Sequence, residues 1–240
     1  MKAMVLAAGL GTRLRPLTDN TPKCLIPLAG RPLIDWTLHW LHRYGVTECM
    51  VNLHYLHEKV CSFVGDGSQH GLRVYYSHEP ELLGTAGAVK KVSDFFDSPF
   101  YVVYSDNFSQ WDLRKLRLAY ETRGSKAVVA VHWREDVTQS GMIEMDGDDR
   151  IVRFVEKPKP ENVTSHYVSA GFYYLGPEIL DYIPENAFSD FAFDVFPRAL
   201  QAGEKIHAVK MDDPIIGIDT MESYNRANEL AFELLSKQTL

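Results

Sequence analysis

The first half of the chain alternates short apolar runs with amphipathic segments, and this alternation limits the possible folds more than any other feature. The apolar runs are AMVLAA, CMVNLHY, RVYYSH, FYVVYSD and KAVVAVHW. Between them lie LIDWTLHWLHRYG, EKVCSFVG, GTAGAVKKVSDFF and LRKLRLAYETRG, whose apolar residues have helical spacing. Because each intervening segment can cross over as a helix, the pattern predicts βαβ units on a mainly parallel sheet. The near-continuous apolar character of the runs indicates a sheet covered on both faces.

The second half of the chain follows a different pattern. It begins with GMIEMDGDDRIVRFVEKP, in which apolar and polar residues alternate on both sides of Gly147, as in a β-hairpin. A further strand is predicted in HYVSAGFYYLGP, helices in EILDYI and FDVFPRALQAGE, a strand in KIHAVKM and a terminal helix in MESYNRANELAFELLSKQ. The sequence contains no repeats and no Pro/Ser-rich linker. We therefore predict one α/β domain over residues 1–240, with an inserted β-rich lobe from about residue 138 to 177.

Charge and composition argue against several classes of partner and site. A net charge of −7 argues against nucleic acid and against an anionic membrane surface. The N-terminal MKAMVLAAG is apolar only as far as Ala8, too short for a signal-peptide core or a membrane span, so we expect a cytoplasmic protein. The cysteines form no C-x-x-C pair, and HYLH has no further ligands at metal-site spacing. Neither a disulfide framework nor zinc is therefore expected.

A glycine-rich turn with clustered cations follows the first apolar run. In LAAGLGTRLRPLT, Gly9 and Gly11 expose backbone N–H groups that can surround an anion. The spacing is not a Walker A loop, and it is not a dinucleotide fingerprint because Leu14 stands where the third glycine is needed. A stiff, proline-rich segment then carries three cations, Arg13, Arg15 and Lys23. Such clustered charge suits a triphosphate, and a structural turn with solvated arginines is the alternative.

The glycine turn is the first of several motifs in a fixed order along the chain. It extends into PKCLIPLAGRPLI and is followed by LGTAGAV, VVYSDN, FVEKP and SAGFYYL. Together these motifs resemble the sugar-1-phosphate nucleotidylyltransferases, whose opening motif reads G-x-G-T-R-[LM]-x-P-x-T…P-K. The LGTAGA spelling resembles the mannose- and heptose-1-phosphate guanylyltransferases of that family. The resemblance implies a Rossmann-like three-layer fold, Mg²⁺ as cofactor, and transfer of a nucleoside monophosphate from a nucleoside triphosphate to a sugar 1-phosphate.

By match of position, the resemblance also assigns roles to individual residues. Arg13 and Lys23 would be catalytic, by activating the phosphates. The nucleotide would be bound by the following residues: Ala8, Gly9, Gly11, Thr12, Glu79, Gly84 and Thr85. Residues 1–137 would form the nucleotide-binding part and the lobe at 138–177 the sugar-binding part. The expected partners are the nucleoside triphosphate and the sugar 1-phosphate, and a homodimer is left open.

Two aspartates are candidates for the metal. Asp106 ends a buried strand in YVVYSDN, at the carboxyl edge where ligands sit in open α/β sheets, and its carboxylate suits Mg²⁺. Near the C-terminus many family members read D-x-G-T-P-E, whereas this chain reads GIDTMESY, with Gly217 at the position of the expected aspartate. An I-D-[ST] form resembles what some related cytidylyltransferases use, so Asp219 is the second candidate. Each aspartate has a helix-capping role as the alternative.

The nucleobase is expected near HEPELLGTAGAV. The position that commonly faces the base edge in the family is Glu79 here, and a carboxylate accepts two hydrogen bonds from guanine but repels the carbonyl oxygens of uracil. GTP is therefore favoured over UTP. Base recognition by Glu81 or by backbone groups is the alternative, and Gly84 and Thr85 also suit the start of a helix.

The sugar phosphate is expected in the second half of the chain. By resemblance, Glu156 binds the sugar hydroxyls and Lys157 the phosphate, and their side chains point to opposite faces if the strand continues through them. Gly141 and Gly171 would leave room for the pyranose. Ser169 stands where the family often has asparagine. An exposed Glu-Lys pair at a strand end is the alternative.

The residues together favour a GTP-dependent guanylyltransferase for mannose or heptose 1-phosphate. The absence of Ser-His-Asp and G-x-S-x-G patterns agrees with this, because an anionic sugar phosphate needs no catalytic base. Uridylyl transfer to N-acetylmuramate or glucose 1-phosphate is the first alternative. A non-catalytic nucleotide-sugar-binding regulatory protein is the second, and a cytidylyltransferase for a non-sugar phosphate is the third.

Overall fold

The computed structural model describes residues 1–138 and 140–238. The strands are β1 (Lys2–Leu6), β2 (Pro27–Leu28), β3 (Arg31–Pro32), β4 (Glu48–Leu53), β5 (Arg73–His78), β6 (Phe100–Tyr104), β7 (Asn107–Phe108), β8 (Ala127–Trp133), β9 (Gly141–Met145), β10 (Ile151–Glu156), β11 (Tyr167–Leu175), β12 (Ile206–Lys210) and β13 (Ile216–Gly217). The α-helices are α1 (Leu33–Arg43), α2 (His57–Val64), α3 (Gly84–Lys90), α4 (Arg114–Arg123), α5 (Phe196–Gln201) and α6 (Met221–Gln238).

One large mixed sheet organises the molecule. Its strands follow the order β10-β9-β11-β6-β1-β4-β5, and β8 lies on the other side of β11 and pairs with β12. The ladders among β6, β1, β4 and β5 are parallel, as is the ladder between β8 and β12. Strand β11 lies between β6 and β8 and is antiparallel to both. The fifth apolar run of the first half, β8, therefore does not pair directly with β6. The mainly parallel sheet predicted from the alternating pattern is confirmed.

The sheet is covered on both faces. Successive residues of β1 enter different cores, since Val5 belongs to a cluster with α1, α2 and α4, whereas Met4 belongs to a cluster with α3 and α5. The same alternation holds in β6, where Val103 lies in the first cluster and Val102 in the second. Two buried faces are what near-continuous apolar strands require. The three-layer architecture expected from the sequence is therefore confirmed.

The β-rich segment extends the main sheet. Strands β9 and β10 form an antiparallel hairpin, and β9 joins the first half of β11 through Val168 and Met142. The second half of β11 pairs with β6 in the centre of the molecule. The register of β11 shifts between Ser169 and Tyr173, where Gly171 has a φ of +71°. This bulge lies where β11 passes from β9 to β6.

The terminal helix α6 packs against the loops that follow β1. Its Ala227 and Ala231 share a buried cluster with Leu14 and Ile26 of the cation-bearing segment and with Ile218. The helix therefore supports the segment that carries Arg13 and Lys23. Among the helices within residues 1–138 and 140–238, none has the length and apolar character needed to cross a membrane.

Candidate active site

The candidate residues of the first half gather at one edge of the sheet. Gly9 follows β1, Glu79 follows β5 and Asp106 follows β6, and these strands are all parallel. The carboxyl ends of parallel strands lie at the same edge, which is where ligands bind in open α/β sheets. The strand order therefore brings the glycine turn and Asp106 side by side, since β1 and β6 are neighbours.

Lys23 lies at the centre of the charged groups. Its Nζ donates to Oδ2 of Asp106 at 2.6 Å and to Oδ1 of Asp219 at 2.9 Å, and its side chain is only 8% exposed. Burial on its own would lower the pKa of this ammonium, but the charges of Asp106 and Asp219 outweigh burial and raise the pKa. Lys23 is therefore held in its charged form. The Nη2 of Arg13 also contacts Asp219 Oδ1, at 2.9 Å.

A short ladder explains why Asp219 lies beside Asp106. Strand β13 pairs antiparallel with β7, placing Gly217 opposite Asn107. The N–H of Ile218 donates to the carbonyl oxygen of Asp106 at 2.8 Å. This pairing places Asp219 beside Lys23. Gly217, which aligns with the family's usual aspartate, has no carboxylate to offer there.

The two aspartates have the chemistry of a divalent-cation site. One ammonium reaches a carboxylate oxygen of each, so Asp106 and Asp219 converge on a single cation position. Burial would raise the pKa of Asp219, but the positive charges of Lys23 and Arg13 lower it, and the carboxylate stays ionised. Ionised oxygen ligands are those that Mg²⁺ prefers. The residues present therefore fit the metal that the resemblance implies.

The glycine turn is shaped for close approach to an anion. Gly11 has a φ of +63°, and a Cβ at this position would lie 2.8 Å from Cγ2 of Thr18, so glycine is required. Within residues 1–138 and 140–238, the backbone N–H groups of residues 8–11 meet no hydrogen-bond acceptor. Thr12 begins a short 3₁₀-helix that carries Arg13. Unpaired N–H groups next to a cation match the anion site predicted for this turn.

A cleft of about 800 Å³ adjoins the cluster of charged groups. Arg13, Asp106 and Asp219 line it. All of the residues predicted to bind the sugar phosphate also line it, namely Gly141, Glu156, Lys157, Ser169 and Gly171. The residues predicted to bind the nucleotide are not in its wall. They lie in the segment after β1 and in the segment from the end of β5 to the start of α3, namely Ala8, Gly9, Gly11, Thr12, Glu79, Gly84 and Thr85. The structure thus separates the two predicted substrate regions around a shared set of charges.

Glu156 and Lys157 would point to opposite faces only if the strand continued through both, and it does not. Strand β10 ends at Glu156, and Lys157 takes a left-handed conformation with φ of 46°, so both side chains line the cleft. Such a conformation is unfavourable for a residue with a side chain and is found where function or surroundings require it. Burial and the charge of Asp190 raise the pKa of Glu156, with Lys157 opposing them.

The glycines of the cleft make room for protein side chains. A Cβ on Gly141 would lie 2.8 Å from Oε2 of Glu156, and a Cβ on Gly171 would lie 2.5 Å from Nδ2 of Asn107. Asn107 donates to the carbonyl oxygen of Ala170 at 2.9 Å. Both glycines were expected to leave room for a pyranose. The structure shows that the missing Cβ of each glycine leaves space for a polar side chain of the cleft wall, and room for a pyranose stays a prediction.

Glu79 is more deeply buried than its predicted role suggests. It is 1% exposed, its Oε1 accepts from Nδ2 of Asn52 at 2.8 Å, and its Oε2 accepts from the N–H of Leu83 at 3.0 Å. Oδ1 of Asn52 in turn accepts from the N–H of Ala7 at 2.8 Å. Asn52 and Glu79 therefore connect the loop after β1 with the loop before α3. Recognition of a base by Glu79 stays a prediction.

Gly84 and Thr85 begin α3 and hold the chain around Asp190. A Cβ on Gly84 would lie 2.4 Å from the carbonyl oxygen of Ser189, so only glycine allows this packing. The hydroxyl of Thr85 donates to Oδ2 of Asp190 at 2.8 Å, and Asp190 lines the cleft. The two residues thus have the structural role that the sequence left as an alternative, and a role in nucleotide binding stays a prediction.

The cleft also contains residues that the motifs did not reveal. They are His132, Trp133, Arg134, Asp190 and Arg226; Asn107, the last residue of the motif VVYSDN, also lines the cleft but was given no role. Three of them, from His132 to Arg134, follow the apolar part of β8, so the strand-end rule that located Asp106 also points to them. Burial, assisted by Arg134, lowers the pKa of His132 to about 4, so this ring is neutral at neutral pH. Asp190 and Arg226 follow no strand and had no such signal.

The chain is similar in sequence to known proteins of one family. The profile of the nucleotidyl transferase family matches residues 2–230. The chain is 34% identical over 241 residues to a UTP–glucose-1-phosphate uridylyltransferase from Synechocystis sp., covering 95% of this chain and 62% of that relative. It is 30% identical over 226 residues to a D-glycero-alpha-D-manno-heptose 1-phosphate guanylyltransferase from Campylobacter jejuni, covering 93% of this chain and 97% of that protein.

A solved structure has the same fold. The crystal structure of a putative glucose-1-phosphate thymidylyltransferase from Bacillus anthracis, in complex with a sucrose, superposes with a TM-score of 0.87 at 26% identity. The match covers 96% of this chain and 95% of that chain. It extends the agreement from the motifs to the Rossmann-like arrangement of strands and helices. Sequence and fold together show that the chain belongs to the nucleotidyl transferase family.

Proposed function

We propose that this protein transfers a nucleoside monophosphate from a nucleoside triphosphate to a sugar 1-phosphate and releases pyrophosphate. The observation that carries the proposal is the buried ammonium of Lys23, held by two carboxylates that line the same cleft as Glu156 and Lys157. This arrangement offers positive charge to two phosphorylated substrates at once. It also supplies acidic side chains suited to sugar hydroxyls and to a metal ion.

The side chains act mainly by positioning and charge compensation. A sugar 1-phosphate carries most of two negative charges at neutral pH and attacks the α-phosphorus without a catalytic base, as pyrophosphate leaves. Repulsion between the two anions is the obstacle, and Arg13, Lys23 and Lys157 offset it. Asp106 and Asp219 would hold Mg²⁺, which would supply further positive charge to the phosphates. Glu156 orients the sugar.

The favoured substrates are GTP and a mannose- or heptose-type sugar 1-phosphate. The Campylobacter jejuni relative, named as a heptose 1-phosphate guanylyltransferase, has nearly the same length as the matched region. The carboxylate of Glu79, in the loop after β5, is suited to the N1–H and amino group of guanine. Its internal hydrogen bonds use one acceptor position of each oxygen, and contact of the other positions with a base requires the buried carboxylate to become accessible.

Uridylyl transfer is the second candidate. It is favoured by the Synechocystis relative, named as a uridylyltransferase for glucose 1-phosphate, which covers nearly the whole of this chain. In that case Glu79 holds the two loops together and backbone groups read the base. The phosphate chemistry at Lys23 is the same for both candidates.

A substrate panel tests the proposal. Pyrophosphate release is measured with Mg²⁺ for GTP, UTP, CTP, ATP and dTTP, each with the 1-phosphates of mannose, glucose, N-acetylmuramate and D-glycero-D-manno-heptose. Release with GTP and one sugar is the expected result. Release with UTP retains the mechanism and rejects the guanine assignment. Nucleotide binding without release from any pair rejects the enzymatic proposal in favour of a regulatory binding protein.

A further inference from the structure

A second cluster of metal-ligating side chains lies outside the cleft. It consists of Asp35 and His39, one turn apart on α1, and His70, which ends the 3₁₀-helix Ser68–His70 before β5. None of the three residues lines the cleft or belongs to the motifs of the family. The two histidines are far apart in the sequence, so their spacing gave no metal motif. The fold brings them together.

The donor atoms of this cluster form a nearly equilateral triangle. Oδ1 of Asp35 lies 3.1 Å from Nδ1 of His70 and 3.5 Å from Nδ1 of His39, and the two ring nitrogens are 3.4 Å apart. In a tetrahedral zinc site with bonds of about 2.0–2.2 Å, the ligand atoms are roughly 3.3–3.6 Å apart. Two of the three separations therefore have the spacing of one face of a zinc tetrahedron, and the third, 3.1 Å, is about 0.2 Å short of it.

We propose that Asp35, His39 and His70 bind one zinc ion through three protein ligands, with a fourth position open to solvent. Two imidazole nitrogens and a carboxylate oxygen are a donor set that zinc accepts. The side chain of His39 is 46% exposed and provides a path of entry, whereas that of His70 is 1% exposed and anchors the site in the fold.

The surroundings fix the carboxylate ligand, whereas zinc would displace two contacts of one ring. Nδ1 of His39 lies 2.9 Å from the carbonyl oxygen of Asp35 and 3.2 Å from Nη2 of Arg31. Nε and Nη2 of Arg31 bind Oδ2 of Asp35 at 2.7 and 2.6 Å, which leaves Oδ1 directed at the two nitrogens. Ligating carboxylates in metal sites are commonly fixed in this way by an outer hydrogen bond. Nε2 of His70 is buried without a partner in the described part of the chain, so the polar contacts of this ring are made by Nδ1.

Bound zinc would join α1 to the turn before β5. The turn lies between Gly67 and Gly71, both with positive φ, and it is held to the helix through His70. A ligand that binds only the folded chain stabilises it according to its free concentration relative to its Kd. Zinc is therefore expected to raise the melting temperature without entering the transfer reaction.

Titration with metal alone tests the site. With Mg²⁺ in excess to occupy Asp106 and Asp219, the wild-type protein is titrated with Zn²⁺ by calorimetry and with Co²⁺ by visible absorption, where a four-coordinate site gives intense bands. One ion per chain with a four-coordinate Co²⁺ spectrum is expected. His39→Ala, at an exposed helix position where folding is retained, lowers the affinity by about a hundredfold. His70→Ala has the same effect provided that circular dichroism shows it folded.

Two control variants separate this site from other zinc-binding groups. His57→Ala removes one of the adjacent rings of His57 and His78, whose centroids are 4.1 Å apart, and Asp219→Asn removes a carboxylate from the candidate active site. Both variants should bind zinc as the wild type does. The proposal is rejected by no binding to wild type, by a six-coordinate cobalt spectrum, by unchanged affinity in His39→Ala, or by loss of the site in either control.

Discussion

The charged groups around Lys23, at the proposed phosphate end of the candidate active site, and the carboxylate of Glu79, at its proposed base end, are held in opposite ways. At the phosphate end, Lys23 contacts Asp106 and Asp219, and both carboxylates remain partly exposed in the cleft. At the base end, Glu79 is buried. One of its oxygens accepts a hydrogen bond from Asn52, and the other accepts one from the backbone N–H of Leu83. The charges of Lys23 and of the two aspartates compensate one another at positions that a substrate or metal can reach. The charge of Glu79 is instead held by hydrogen bonds inside the fold. Substitutions at the two ends should therefore affect different properties.

The largest expected effect is at the phosphate end. Lys23→Ala removes the charge placed between the substrates' phosphates, and we expect turnover to fall by at least about a hundredfold while the fold survives. Pyrophosphate release and circular dichroism measure the two properties. Lys59→Ala is the matched control, since Lys59 is an exposed lysine whose Nζ bonds the carbonyl oxygen of Asn20 at 2.6 Å. Near-normal turnover of Lys23→Ala rules out its catalytic role.

At the base end, the corresponding change should reduce stability. Glu79→Gln places an amide NH₂ against one of two hydrogen-bond donors, Asn52 Nδ2 or the N–H of Leu83, and should cost about 1–3 kcal/mol of unfolding free energy. If Glu79 also reads guanine, the ratio of kcat/KM for GTP over UTP falls as well. Denaturant unfolding and nucleotide kinetics separate the two effects. The exposed Glu81, the other candidate for base recognition, supplies the control Glu81→Gln.

A smaller effect is expected in the predicted sugar region, which shares the cleft with the charged groups at the phosphate end. In Gly141→Ala the added Cβ would lie 2.8 Å from Oε2 of Glu156 and displace that carboxylate. We expect KM for the sugar 1-phosphate to rise by about tenfold, equivalent to about 1.4 kcal/mol, with KM for the nucleotide unchanged. Gly147→Ala in the same hairpin is the control, because a Cβ there meets nothing within 4 Å. Equal kinetics for the two variants would contradict the proposed role of Glu156.

The smallest expected effect is the pH dependence of stability at the phosphate end. Since the folded state lowers the pKa of Asp219, this group stabilises the fold above its unfolded pKa, and the contribution is lost as the pH falls through the folded value. The side chain is half-exposed, so the contribution is below about 1 kcal/mol. Asp219→Asn should flatten the acid limb of stability measured by urea unfolding, whereas Asp148→Asn at the exposed hairpin turn should not. An unchanged acid limb in Asp219→Asn would argue against the ion pair.

The sequence predicted those features that depend on local pattern. Strand runs, strand-end residues such as Asp106, and the glycine turn all follow from short stretches of chain. The pairing of β11 between β6 and β8 was not predictable, because strand order depends on contacts between distant segments. The direction of Lys157 depends on one left-handed residue, and the burial of Glu79 depends on Asn52 of another strand. The Asp35, His39 and His70 cluster was missed for the same reason, since its ligands share no motif.

The pairing of β7 with β13 has a consequence for synthesis of the protein. Asp106 is made early, but its companion Asp219 reaches Lys23 only after residues 216 and 217 have left the ribosome and paired with residues 107 and 108. A nascent chain therefore assembles most of its sheet before its charged centre is complete. We expect ribosome-bound chains stalled before residue 216 to release no pyrophosphate, so the growing polypeptide consumes no nucleotide until residues 216–219 have emerged.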